Sequence, residues 1–185
     1  SKSGSAFPIH ILKAESPGPD VGKLVPQLRR TAQILYLIYI GLTALNILLL
    51  ALDMPLFDAF CIAFGTAGTG GFAVTNAGLG GYSPYIQWVT TLFMFLFGVN
   101  FSCYYLLLKK KPLSVLKDEE LRVYFLVFMG CSLAVAFNVR AFFSTTEETL
   151  RAAMFQAASI MSTTGFATTD FDLWPTLAKA VVDMI

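Results

Sequence analysis

The chain has 185 residues, 56% of them hydrophobic and only 14% charged, with a net charge of +1. That balance is too apolar for an ordinary soluble domain, and a near-zero net charge excludes an argument for nucleic-acid binding or an acidic tail. The composition predicts an all-α integral membrane protein.

Residues 1–30 include the Pro- and Gly-rich run "AESPGPDVGKLVP" and read as a cytoplasmic approach segment without sheet. From Thr31 to Leu52 no residue is charged, and the run exceeds the ~20 residues a helix needs to cross ~30 Å of hydrocarbon. It predicts a first spanning helix. Next comes "LFDAFCIAF", Leu56 to Phe64, apolar but about half a span long, which suits a re-entrant half-helix. "GTAGTGGFAV", Gly65 to Val74, follows and reads as irregular backbone. At membrane depth such backbone is tolerated only where protein buries it or where it lines a watery cavity. Tyr85 to Leu108, with Trp88 and Tyr104-Tyr105 near its ends, predicts one continuous second span. Residues 109–120 hold "KKKP" and "KDEE", a charged loop whose acidic cluster reads as a solvated patch. A third span runs from Val123 to Val139 between Arg122 and Arg140, whose stems can snorkel. Beyond a second half-helix around "RAAMFQAA" and the segment "STTGFATTD", Trp174-Pro175 starts a fourth helix that stops at Ile185, as expected of a piece of a longer polypeptide.

Basic residues flank the first span at Lys13, Lys23, Arg29 and Arg30, and none occurs between Arg30 and Lys109. The excess of Lys and Arg places the N-terminal segment and the 109–120 loop in the cytoplasm, so the Gly-rich stretch approaches from outside. Cys61, Cys103 and Cys131 lie in apolar runs without a CxxC or a nearby histidine, and His10 is the single histidine, so no metal or acid-base centre is expected. The Gly65 and Gly70 spacing of a phosphate loop lacks the Lys-Ser/Thr that must follow it.

Shifted by 94 residues, the sequence aligns with itself: "TGGFAVTN" (Thr69 to Asn76) falls on "TTGFATTD" (Thr163 to Asp170), and Ala59 and Ala63 fall on Ala153 and Ala157. A repeat of this kind outranks any single motif. Both copies follow an outward-running span, so an axis along the membrane normal relates them. Glycine frees backbone carbonyls to face a pore where they replace an ion's hydration shell, and threonine adds hydroxyl oxygen. Neutral oxygens suit a hard monovalent cation, whereas an anion filter would show Arg or Lys, and neither copy has one.

Over nearly its whole length the chain resembles the TrkH/KtrB group of the Trk/Ktr/HKT potassium transporter superfamily. The residues that carry the resemblance are "KAESPGP", "KLVPQLRRTAQIL", "LIYIGLTAL", "LFDAFCIAFGTAGTGGF", "VNFSCYYLLL", "LKDEELR" and "SIMSTTGFATTDFDLWP". The resemblance implies four helix–pore-half-helix–helix repeats, pseudo-fourfold around one pore. The chain then holds the second repeat at residues 31–108 and the third at 121–185, the latter truncated in its closing helix. It further implies filter corners at Thr69, Gly70, Gly71 and Phe72 and at Thr163, Thr164, Gly165 and Phe166, whose backbone carbonyls bind K⁺ as the transported ion. Asn76 and Asp170 flank the outer mouth, and Asn76 departs from the acidic residue the resemblance leads one to expect. A bacterial inner-membrane location, a homodimer of full-length chains and a cytosolic TrkA-type nucleotide-binding subunit are also implied. No cofactor and no catalytic residue are expected. Transport of Na⁺, or of K⁺ coupled to Na⁺ or H⁺, stays open because selectivity depends on all four corners. A membrane scaffold or intramembrane enzyme with packing glycines is the rival from another class.

Overall fold

The computed structural model describes residues 21–108, 115, 118–170 and 173–184; the remainder, including His10 and the "KKKP" run, lies outside the described residues. The described residues form helices and connecting turns, with no strand among them. In chain order the helices are α1 (Val21–Leu50), α2 (Leu56–Ala67), α3 (Pro84–Gly98), α4 (Phe101–Leu108), α5 (Glu119–Val139), α6 (Thr146–Met161) and α7 (Thr176–Asp183).

Two helices are long and apolar enough to cross a membrane, Arg29–Leu50 within α1 and Glu119–Val139. At 1.5 Å per residue the 22 residues of the first cover about 33 Å, enough for the hydrocarbon layer. Helix α1 starts ten residues before the expected span, so the last third of the approach segment is already helical. Helix α5 takes in the last two residues of the expected loop, Glu119 and Glu120. Asp118 accepts a hydrogen bond from the Leu121 N–H at 3.2 Å, and Glu119 and Glu120 occupy the first turn. The acidic cluster therefore serves as an N-terminal cap and dipole complement.

The second span is not continuous. Helices α3 and α4 meet at an 88° bend around Val99 and Asn100. Asn100 restarts the helix, its side-chain oxygen accepting from the Ser102 N–H at 2.9 Å and its carbonyl from the Cys103 N–H at 2.9 Å. Short amides of this kind compete with the helical ladder for backbone donors. The freed carbonyls are taken up by hydroxyls: Tyr104 donates to the Leu96 carbonyl at 2.7 Å and Tyr124 of α5 to the Phe95 carbonyl at 3.3 Å. A broken helix at membrane depth needs such replacements.

The core belongs to both halves of the chain. Leu50, Ala59, Ile62, Ala63 and Met94 from the first half share one buried cluster with Phe128, Phe155, Ala157, Ala158 and Phe166 from the second. Helix α6 packs against α5 of its own repeat and against α3 of the other. Small residues at the contacts let the helices approach closely.

Candidate ion-conducting site

Two short helices deliver the two Gly/Thr segments. Helix α2 is 12 residues long, about 18 Å, and extends through Gly65, Thr66 and Ala67, so irregular backbone begins at Gly68 rather than at Gly65. The Thr66 hydroxyl sits within that helix, donating to the Ile62 carbonyl at 2.7 Å. Helix α6 has 16 residues and begins ahead of "RAAMFQAA", at a T-x-x-E capping box whose Thr145 side chain accepts from the Glu148 N–H at 3.2 Å.

The two turns that follow are copies of each other at the level of single hydrogen bonds. The Gly68 N–H donates to the Phe64 carbonyl at 2.8 Å, and the Ser162 N–H to the Ala158 carbonyl at 3.0 Å. Thr69 donates to Thr66 and Thr163 to Ile160; Gly70 donates to Gly65 at 2.7 Å and Thr164 to Ser159 at 2.8 Å. Each pair is separated by the same 94 residues found in the sequence. The left-handed residues repeat as well, Thr69 and Gly71 at φ 50° and 67°, Thr163 and Gly165 at φ 56° and 85°. A β-branched threonine with positive φ is rare and costs energy, and finding it at both equivalent positions marks a backbone shape that both loops are held to.

The two loops also meet. A Cβ added to Gly71 would fall on the Thr164 carbonyl oxygen and lie 3.1 Å from the Gly165 carbonyl carbon. Glycine is required at 71 for its φ and for this approach. Both α2 and α6 run toward the junction, so the partial negative charge of two helix C-termini is directed at it. That field favours a cation. No group of three or more His, Cys, Asp or Glu side chains that could hold a metal ion is found among the described residues.

The site residues named from sequence do not share one environment. Thr69, Gly70, Thr163 and Gly165 are exposed, Gly71 is half-buried, and Asn76 and Asp170 are exposed beyond them. Thr164 is buried, and its hydroxyl pairs with the Ser162 hydroxyl at 2.6 Å, so this threonine offers the junction a carbonyl and not a hydroxyl. Phe166 is 1% exposed and Phe72 is 84% exposed. The Phe166 carbonyl accepts a 2.6 Å hydrogen bond from the Ser159 hydroxyl.

One supporting element escaped the sequence reading. The turn Gly78-Leu79-Gly80 lies against the extended backbone that follows Phe166: the Leu79 N–H donates to the Ala167 carbonyl at 2.9 Å. A Cβ on Gly80 would fall on the Thr168 carbonyl oxygen. Its signal was present in the glycine cluster "GLGG", which has no counterpart in the other copy. Gln87 fixes the turn from below, donating to the Leu79 and Tyr82 carbonyls at 3.2 and 3.1 Å. Tyr82 donates to Asp58 at 2.9 Å. Burial, then the Asp58 hydrogen bond and charge, push the Tyr82 hydroxyl up to about 12, so it stays protonated and donating.

Comparison with known proteins gives the family and the fold. The family model for TrkH, described as a cation transport protein, matches residues 10–185. The chain is 33% identical over 175 residues to the Trk system potassium uptake protein TrkH of Salmonella typhimurium, covering 90% of this chain and 36% of that protein. It is 30% identical over 172 residues to the potassium uptake protein TrkG of Escherichia coli, covering 90% of this chain and 35% of that one. Its fold matches the crystal structure of the potassium transporter TrkH from Vibrio parahaemolyticus with a TM-score of 0.76 and 28% identity, over 94% of this chain and 39% of that one. The chain thus spans a little over a third of the length of these relatives. A repeated helix-and-turn unit, an all-helical architecture among the described residues and a family match over nearly every residue lead to one conclusion: the chain belongs to the TrkH family of cation transport proteins.

Proposed function

We propose that this chain forms part of the ion-translocating subunit of a Trk-type potassium uptake system. In this reading Thr69, Gly70, Gly71 and Phe72 and Thr163, Thr164, Gly165 and Phe166 supply two corners of a filter that passes dehydrated K⁺ over backbone carbonyls. Asn76 and Asp170 stand at its outer mouth. The observation that carries the proposal is the meeting of two identical left-handed turns, Gly71 against the Thr164 carbonyl, at the C-terminal ends of two short helices.

The membrane potential would drive the flux, at ~2.3 kcal/mol per charge per 100 mV, without covalent chemistry. The whole protein would be a homodimer in a bacterial inner membrane, with the N-terminal segment and the 109–120 loop in the cytoplasm beside a TrkA-type nucleotide-binding partner. The named relatives, which are Trk system potassium uptake proteins, support the potassium-uptake part of this reading.

The test is Rb⁺ uptake into proteoliposomes holding the full-length protein, with K⁺ and Na⁺ as competitors, in wild type and in Gly71→Asp and Gly165→Asp. Competition by K⁺ but not Na⁺, lost in both variants, is the expected result. Uptake indifferent to both glycines would reduce the loops to packing elements.

A further inference from the structure

Gly65 and Ser159 occupy equivalent positions in the two copies, each three residues after a buried position on its helix, Ile62 or Gln156, and each accepting a loop N–H through its carbonyl, from Gly70 and from Thr164. Their side chains differ for a visible reason. In the second copy the Ser159 hydroxyl reaches the carbonyl of its own filter residue, Phe166. In the first copy that space is filled from outside the copy: a Cβ on Gly65 would lie 2.9 Å from Cζ of Phe166. Phe166 is therefore held twice, its carbonyl by α6 and its ring by α2, while the next residue, Ala167, accepts from Leu79.

We propose that Phe166 is a positioning residue for ion selection, and Gly65 its receptor. The ring seated in the gap left by Gly65 fixes the distance between the two filter corners. This rests on the potassium-pathway reading above. A phenyl ring has two torsions and no soft degree of freedom, and this one is 1% exposed and packed in the shared core. Moving the ring displaces the Phe166 backbone and with it Gly165, the neighbour that faces Gly71. Selection between ions of similar charge depends on how carbonyl oxygens are spaced and how freely they adjust. A brace between corners acts on that quantity without touching the ion through its side chain.

The test uses the full-length protein in proteoliposomes and reads two things separately: the maximal Rb⁺ uptake rate, and the ratio of Na⁺ to K⁺ concentrations that halve it. Gly65→Ala places a methyl against Cζ while improving the helix propensity of α2, so a weakened helix does not explain its effect. Discrimination is expected to fall about fivefold, within the range exchanged by packed neighbours. Phe166→Leu, which opens a gap in place of a clash, is expected to lower it as well. The pair Gly65→Ala/Phe166→Leu nearly conserves volume and is expected to return to within about twofold of wild type. Gly41→Ala, where nothing lies within 4 Å, serves as the unaffected control.

Retained discrimination in both single variants, with only the maximal rate lowered, overturns the proposal and leaves Phe166 as core packing. A double variant no better than the sum of the singles does the same. Failure of the potassium reading shows elsewhere, in a wild-type protein that does not distinguish K⁺ from Na⁺.

Discussion

The Tyr124 hydroxyl stands where a Cβ on Gly98 would be, and from there it donates to the Phe95 carbonyl at 3.3 Å. The end of α3 and the third span are thus joined at a point where glycine makes room for a hydrogen bond. Gly98→Ala is expected to destabilise the protein by roughly 1–3 kcal/mol through overpacking, despite the better helix propensity of alanine. Adding Tyr124→Phe removes the obstructing oxygen and should recover part of that loss. Thermal melting in detergent of the two singles and the double checks both statements.

Tyr104 bridges the same break from within its own span, 2.7 Å from the Leu96 carbonyl, which also accepts the Val99 N–H at 3.2 Å. Because Leu96 keeps that second partner, Tyr104→Phe should cost only about 0.6–1.5 kcal/mol. A larger drop in melting temperature than this allows would mean that the bend itself depends on Tyr104.

Gly71 and Gly165, the glycines of the proposed filter, differ in what a methyl would meet. At Gly71 it strikes the Thr164 carbonyl as well as adopting φ 67°, whereas at Gly165 it finds Gly71 Cα at 4.0 Å and suffers only the φ of 85°. Gly165→Ala should therefore retain measurable Rb⁺ uptake, with a strain cost of about 1–2 kcal/mol. Gly71→Ala should abolish it. Equal loss in both would contradict the asymmetry.

The Tyr82–Asp58 bond makes a prediction about pH. The hydroxyl is raised from its ordinary value of 10.0 to about 12, first by burial and then by Asp58. A raised folded-state value stabilises fully below the unfolded one and loses that contribution as pH climbs through the folded one. Tyr82→Phe should thus cost a constant amount between about pH 6 and 9, and the gap from wild type should close between roughly pH 10 and 12. Melting curves of the two proteins across that range test it.

The elements whose signal lies in composition were legible in the sequence: the uncharged run after Thr31, the apolar run after Arg122 and the 94-residue echo of "TGGF" in "TTGF". The echo reached as far as hydrogen bonds, since Thr69 and Thr163 adopt the same left-handed turn. Less visible was where an apolar run stops being one helix. The residues from Tyr85 to Leu108 pass every test of length and hydropathy, yet Asn100 breaks them, and the carbonyls beside the break are met by hydroxyls of Tyr104 and Tyr124, the latter from another helix. The environments of Phe72 and Phe166 were hidden for a similar reason. The Phe166 ring is buried against α2 of the other copy, a contact between residues 101 positions apart that no local pattern announces.

The pairing of Gly71 with the Thr164 carbonyl also sets an order of events in synthesis. A ribosome delivers the first loop long before the second, and at ~5–20 residues per second the 94 residues between Gly71 and Gly165 take roughly 5–19 s. Throughout that interval Gly71 faces a gap and Gly65 has no ring to receive. The first loop is therefore shaped by a part of the chain not yet made, and its final geometry is acquired only when α6 arrives beside α3.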